Sequence, residues 1–325
     1  MTAPNIPLAK TVAPSDTSTS TVIDGRGPQI RCGTARLTTC SDIPYDTPMS
    51  GDTQIPLKLD LQVPQTSGKK PLVVYISGGG FLRNDKTANL HRRAYVAEQG
   101  YVVASIEYRT VPTGATYRDA VADVKSAIRH LRAHANQYDI EASRVAVWGE
   151  SAGGYLAAMT GVTNGLNRFE NGSNPDQSST VQAVVDEFGP SDISTVASDY
   201  DAATQKTTYA AGNPFAQFIF GPLTTMSVRD DPAAMAPANP LTYISASSPP
   251  FVLLHGSADQ LVSPSQTLIL HNALRANGVN STRYVVDGAN HGDLTFMGFH
   301  PDVTKQWSSQ QVMDSITSFL DKHLG

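Results

Sequence analysis

From about residue 70 onward, short apolar runs alternate with amphipathic stretches, the pattern of buried strands joined by crossover helices. Six runs have strand length: residues 71–76, 101–106, 144–148, 181–185, 251–255 and 282–286. Between the second and third, Ala120, Val121, Val124, Ala127, Ile128 and Leu131 recur every three or four residues and so line one face of a helix. Val312, Met313, Ile316, Phe319 and Leu320 repeat that period and predict a closing helix packed on the sheet. The expectation is an α/β fold with a mainly parallel central sheet flanked by helices.

Residues 1–44 show neither period and read as an N-terminal arm, which leaves residues 45–325 as the folded domain. Residues 191–248 interrupt the alternation after a strand with a stretch rich in Pro, Ala, Asn and Thr that carries Tyr200, Tyr209, Phe215, Phe218 and Phe220. An insertion at that place is a candidate cap or pocket wall; the plainer alternative is an irregular surface excursion.

The run at 144–148 leads directly into Gly149-Glu150-Ser151-Ala152-Gly153, followed by Gly154 and the apolar Leu156, Ala157, Ala158 and Met159 of a buried helix. A strand that turns sharply into a helix through such a pentapeptide holds its serine out at the tip of the turn. Glycine is needed on either side because a β-carbon there collides with the strand or the incoming helix. A serine hydroxyl is a poor nucleophile at neutral pH, so it needs a base within hydrogen-bond reach and a carboxylate to orient that base.

Both follow in the chain. His291 lies in the glycine-bracketed loop Gly288-Ala289-Asn290-His291-Gly292, just beyond a predicted strand. His130, His134 and His323 lie on or beside helix faces, where packing or solvated roles suffice. Asp259 follows the strand 251–255, and in open parallel sheets reactive groups gather at that strand edge. The alternative for Asp259 is a turn carboxylate capping a helix that starts near Ser263; His255 reads as structural, closing its strand. After the first predicted strand, Ser77-Gly78-Gly79-Gly80-Phe81 frees backbone N–H groups to converge on one spot. Gly79 and Gly80, with the amide of Ala152, would form an oxyanion hole. A phosphate-cradling loop is disfavoured, since no G-x-G-x-x-G spacing and no Lys-Ser/Thr pair accompany the glycines.

Composition narrows the partners. The 325-residue chain has 40% hydrophobic residues, enough for a large core, and a net charge of −5 without the basic stripe that nucleic acid requires. No apolar run approaches the roughly 20 residues of a membrane span, and the first twenty residues lack a signal-peptide pattern. The histidines and the two cysteines lack metal-ligand spacing, so neither metal nor cofactor is expected. Cys32 and Cys40 would staple the N-terminal region if oxidised, and are otherwise two unrelated thiols. Low charge and the glycosylation-type triplets Asn171-Gly172-Ser173 and Asn280-Ser281-Thr282 lean towards an extracellular setting. Oligomeric state is not legible.

Over residues 45–323 the chain resembles the carboxylesterases of the α/β-hydrolase fold, in particular the group with hormone-sensitive-lipase-like and bifunctional feruloyl/acetylxylan-esterase-like enzymes. The resemblance runs through Tyr75-Ile76-Ser77-Gly78-Gly79-Gly80-Phe81, Glu107-Tyr108-Arg109, the glycine–serine motif of 149–154, Phe188-Gly189-Pro190-Ser191-Asp192, residues 255–262, and His291-Gly292. It implies that the segment after Phe188-Gly189-Pro190 contributes to the substrate pocket. One departure stands out: family members usually carry histidine where this chain has Ser77, a loop-shaping position whose hydrogen bonds a serine hydroxyl could supply.

The expected reaction is two-step acyl transfer on a small ester, with Ser151 as nucleophile, His291 as base, Asp259 as its orienter, and Gly79, Gly80 and Ala152 holding the oxyanion. Phe81, Leu82 and Glu150 are candidates for the substrate pocket, as apolar walls and one acidic corner, which suits short-chain or aromatic acyl esters. An amidase, formamidase or peptidase with the same triad, and a small-molecule receptor on a hydrolase scaffold, are the alternatives.

Overall fold

The computed structural model describes residues 7–293 and 305–325, so residues 1–6 of the expected arm and 294–304 of the expected domain lie outside it. The strands are β1 (Thr21–Ile23), β2 (Leu37–Asp46), β3 (Met49–Ser50), β4 (Thr53–Gln54), β5 (Leu57–Pro64), β6 (Lys70–Ile76), β7 (Val102–Ile106), β8 (Ile140–Glu150), β9 (Ala183–Glu187), β10 (Phe251–Gly256) and β11 (Ser281–Val286). The helices are α1 (Leu90–Glu98), α2 (Tyr117–Ala133), α3 (Ala152–Val162), α4 (Ala202–Thr208), α5 (Pro214–Phe220), α6 (Pro232–Met235), α7 (Ser265–Ala276) and α8 (Gln310–Leu324).

Among the described residues, nine strands form one sheet in the order β1-β11-β10-β9-β8-β6-β7-β5-β2, while β3 and β4 make a separate hairpin. Neighbours from β1 across to β7 pair in parallel, and β5 runs antiparallel to both β7 and β2. All six apolar runs are strands of this sheet. The sheet divides two cores. Val74, Ile76, Val147 and Leu253 pack under α2, α3 and α7, whereas Tyr75, Trp148, Val185 and Leu254 pack under α1 and α8. Strands covered on both faces must be apolar on both faces, which is why they appear as runs rather than alternations.

β5 is the informative omission. Leu57, Leu59 and Leu61 alternate with polar neighbours, the half-buried pattern of a strand near a sheet edge, and all three are buried. The arm also does more than extend along the surface: β1 adds a parallel strand beyond β11, and β2 crosses the 44/45 boundary to close the other edge. Both cysteines are free thiols, and Cys32 Sγ donates to the His91 carbonyl at 3.1 Å.

The turn from β8 into α3 is the tightest place in the fold. Ser151 sits at φ 54° and ψ −119°, a strained region for a residue with a side chain. A β-carbon on Gly149 would lie 2.0 Å from the Gly153 carbonyl oxygen, and one on Gly153 would lie 2.0 Å from the Ile76 carbonyl oxygen. One on Gly154 would meet Asp186 Oδ1 at 2.3 Å. Each obstacle is backbone or a buried side chain on β9, so none of them yields.

Asp186 itself is fully buried on β9; its Oδ1 accepts from the Gly189 amide at 2.9 Å, and among the described residues its Oδ2 has no partner. Burial pushes its carboxyl up to about 7.

Two outcomes follow from this packing. Gly153→Ala should cost about 3 kcal/mol or more of folding stability, because the added methyl meets backbone that belongs to β6, and chemical denaturation would measure it. For Asp186 the folded-state pKa lies above the ordinary carboxyl value, so its contribution to stability is full at acid pH and lost as pH rises through about 7. Asp186→Asn should therefore gain on the parent protein between pH 5 and pH 8, by a margin on the order of 2–4 kcal/mol in urea unfolding; an unchanged gap would show that Asp186 does not titrate in this range.

Candidate active site

Ser151, Asp259 and His291 come from the ends of three parallel strands on one edge of the sheet: β8, β10 and β11. The structure brings them into one line. His291 Nδ1 lies 2.7 Å from Asp259 Oδ2, and His291 Nε2 lies 2.7 Å from Ser151 Oγ. Asp259 is inaccessible to solvent and His291 nearly so, while Ser151 is part-exposed at the tip of its turn.

Protonation follows from the partners. Burial alone would raise the Asp259 carboxyl, but His291 and His255 facing it outweigh that penalty and hold it well below the usual carboxylate range. As a carboxylate it only accepts, so His291 Nδ1 carries a proton towards it and Nε2 is left to accept the serine hydroxyl. The Oδ1 of Asp259 takes the amides of Leu261 at 2.8 Å and Val262 at 3.0 Å, which lock its rotamer.

His255 has a larger part than closing its strand. Its Nε2 stands 3.1 Å from Asp259 Oδ2 and 3.0 Å from the Val262 carbonyl, both acceptors, so that nitrogen bears hydrogen. Its Nδ1 faces Thr267 Oγ1 at 3.0 Å, and that oxygen in turn accepts from Arg283 Nε. The acid is thus fastened from behind by a second imidazole, which its position at a strand end did not reveal.

The glycine loop lies against the nucleophile. A β-carbon on Gly78 would stand 3.1 Å from Ser151 Cβ, and one on Gly79 would stand 2.2 Å from the Arg83 carbonyl oxygen. Gly79 and Gly80 both have positive φ, at 147° and 61°. Among the described residues, no acceptor takes the amides of Gly79, Gly80 or Ala152. Ser77 is buried, its Oγ accepts from the Asp85 amide at 2.9 Å, and its carbonyl accepts from Tyr108 Oη at 2.9 Å. The hydroxyl therefore braces the loop from within.

The three residues expected in the pocket have different surroundings. Phe81, at φ 63°, is buried and stacked on Phe218 with ring centroids 3.8 Å apart, with Phe215 and Tyr155 set edge-on around it. It forms the core of the wall, tying residues 191–248 to the glycine loop, and Leu82 packs half-buried beside it. Glu150 is not an acidic corner of the pocket. Its carboxylate accepts from Arg92 at 2.8 Å, Tyr75 Oη at 2.9 Å and Asn89 Nδ2 at 2.8 Å, under the elbow and towards α1. Burial pushes this carboxyl above its ordinary range against the pull of Arg92. The two neighbours are committed to different partners, Glu150 to Arg92, Tyr75 and Asn89 and Ser151 Oγ to His291 Nε2.

Arg92 carried no sequence signal, and Phe188 stood out only as the first residue of the motif at 188–192. Arg92 is buried over the Trp148 ring and bridges Glu150 to Glu187 Oε1 at 2.6 Å, while the Glu187 carbonyl accepts the Ser151 amide at 2.9 Å. Phe188, at φ 46°, packs its ring 4.6 Å from His291 and 4.5 Å from Trp307. Beyond His291, Asp293 Oδ2 accepts from Ser308 Oγ at 2.8 Å, anchoring the base loop near the start of α8. Among the described residues, no group of three or more His, Cys, Asp or Glu is placed to hold a metal ion, and no helix is long and apolar enough to cross a membrane.

Comparison with known proteins bears on the family and the fold. The chain is 27% identical to Esterase LipC of Mycobacterium tuberculosis over 224 residues, 68% of this chain and 53% of LipC. It spans about half the length of the curated relatives it matches. Among solved structures, a bifunctional GH43-CE protein of Bacteroides eggerthii superposes with a TM-score of 0.73 at 27% identity, covering 88% of this chain and 38% of that one. A truncated carbohydrate esterase from gut microbiota gives 0.72 at 24% identity, covering 91% and 99%, and so shares the fold. The BD-FAE family model matches residues 59–274, from β5 to the last turns of α7, and the chain belongs to that family among the carboxylesterases of the α/β-hydrolase fold.

Proposed function

We propose that this protein hydrolyses carboxylic esters through a covalent acyl-enzyme on Ser151. The observation that carries the reading is the unbroken line from Ser151 Oγ to His291 Nε2 and from His291 Nδ1 to Asp259 Oδ2, each link 2.7 Å long, at the tip of a strained elbow. Ser151 Oγ attacks the ester carbonyl as its proton passes to His291 Nε2. Negative charge then develops on the carbonyl oxygen, and the amides of Gly79, Gly80 and Ala152, which no acceptor takes among the described residues, would receive it. His291 returns the proton to the departing alcohol, a water deprotonated by the same nitrogen attacks the acyl-enzyme, and the acyl–Oγ bond breaks as Nε2 hands that proton back to Ser151 Oγ and the carboxylic acid leaves. Asp259, a carboxylate fixed by two backbone amides and His255, steadies the imidazolium in both halves.

The acyl group we assign to this site is short or aromatic. Phe81, Phe215, Phe218 and Tyr155 pack ring on ring beside the glycine loop and make an apolar wall, which favours a compact acyl group. LipC bears the name esterase and the Bacteroides eggerthii protein is described as GH43-CE, which favours an ester over an amide substrate.

Ser151→Ala should lower kcat by roughly a thousandfold or more with the fold retained, and a fluorophosphonate should label the parent protein at Ser151 but not the variant. Substantial residual turnover would overturn the covalent role. Across a series of p-nitrophenyl esters, acetyl and butyryl should exceed decanoyl in kcat/KM, and the acetyl ester should exceed the matched anilide. A faster anilide would identify an amidase instead.

A further inference from the structure

The N-terminal arm lies outside the family match, yet it reaches the acid of the site. The loops bearing Asp259 and His291 are separate segments, and their alignment sets the length of the bond between them. Asn290 ties the two together. Its Oδ1 accepts from the Gln260 amide at 3.1 Å and from the His291 amide at 2.8 Å, and its Nδ2 donates to Gln260 Oε1 at 2.6 Å. Gln260 then passes the connection outward: its Nε2 donates to the Ala9 carbonyl at 2.9 Å, while the Ala9 amide donates back to the Gln260 carbonyl at 3.0 Å.

Ala9 is only 1% exposed, and the arm is held on both sides of it. Lys10 donates its amide to Asp201, Val12 forms an antiparallel bridge with Tyr200, and the Ala13 amide donates to the Asp199 carbonyl at 2.7 Å. Tyr200 Oη in turn donates to the Asp259 carbonyl at 3.1 Å. The arm therefore joins the acid loop to the 191–248 segment, and both routes end on Asp259 or its neighbour.

We propose that residues 9–13 act as a clasp that holds the acid and base loops in register, with Gln260 and Asn290 as positioning residues that touch no reacting atom. The proposal rests on the triad reading. Its physical ground is the steep dependence of proton transfer on geometry: a displacement of about 1 Å is enough to cost roughly a hundredfold in rate.

The test compares the full chain with a form lacking residues 1–13, with Gln260→Ala, and with the two combined, each assayed on p-nitrophenyl acetate. A form lacking residues 1–6 controls for cutting the terminus and keeps the Ala9 contacts. Rates are expressed per serine titrated by fluorophosphonate, so unfolded protein does not count. The expected result is a fall in kcat of about 5- to 50-fold with KM within twofold for each change, and a combined loss smaller than the product of the two, because Gln260 and residues 9–13 belong to one clasp. The downfield proton resonance of His291 Nδ1–H, assigned by its loss in His291→Gln, should weaken or shift in the same variants, and it reads the Asp259–His291 bond without substrate. Unchanged kcat and an unchanged resonance would overturn the clasp, as would a rise in KM alone or losses that multiply. Absence of labelling and turnover in the full chain would instead defeat the esterase reading, while the resonance would still report on the clasp. Should the shorter form fail to fold, Gln260→Ala carries the same test.

Discussion

The structure depends on the absence of side chains where β8 turns into α3. The Gly153 carbonyl oxygen occupies the place where a side chain on residue 149 would begin, and the Ile76 carbonyl oxygen occupies that place for residue 153. This contact draws helix, strand and neighbouring strand together so closely that Ser151 must adopt a positive φ, and the strain points its hydroxyl away from the packed backbone. The glycine loop after β6 shares the crowding, since Gly78 lies against the same serine. Nucleophile and amides are thus placed by one packing event.

Charge beneath the elbow is arranged to support that strain. Arg92 lies between Glu150 and Glu187, and the backbone of Glu187 holds the Ser151 amide. Two carboxylates and one guanidinium form a buried cluster with Trp148 Nε1, Tyr75 and Asn89 satisfying the remaining lone pairs. Removing Arg92 would leave two carboxylates uncompensated in the interior, which is more costly than the cluster is worth. The cluster is accordingly a rigid floor beneath the elbow.

Much of this was legible in the chain. The parallel strands announced themselves because both their faces are covered, and α2 and α8 because one of their faces is. The residues that line up at the site were legible because they follow strands that share one edge. Other features had no comparable signature. β1 is only three residues long, and the backbone pairing that builds it is indifferent to residue type. The clasp at Ala9 works through main-chain groups, and the role of Arg92 depends on two acids 58 and 95 residues away.

Sequence by itself therefore determined the layered α/β architecture and the trio Ser151, Asp259 and His291, because periodicity, glycine sterics and strand-end position are local properties. Only the tertiary structure decided that Glu150 is held by Arg92, Tyr75 and Asn89, that Phe81 is the buried core of the aromatic wall, that His255 backs Asp259, and that the arm grips the Asp259 loop. These depend on which face a residue takes and on which distant segment arrives beside it, and both are settled by long-range packing.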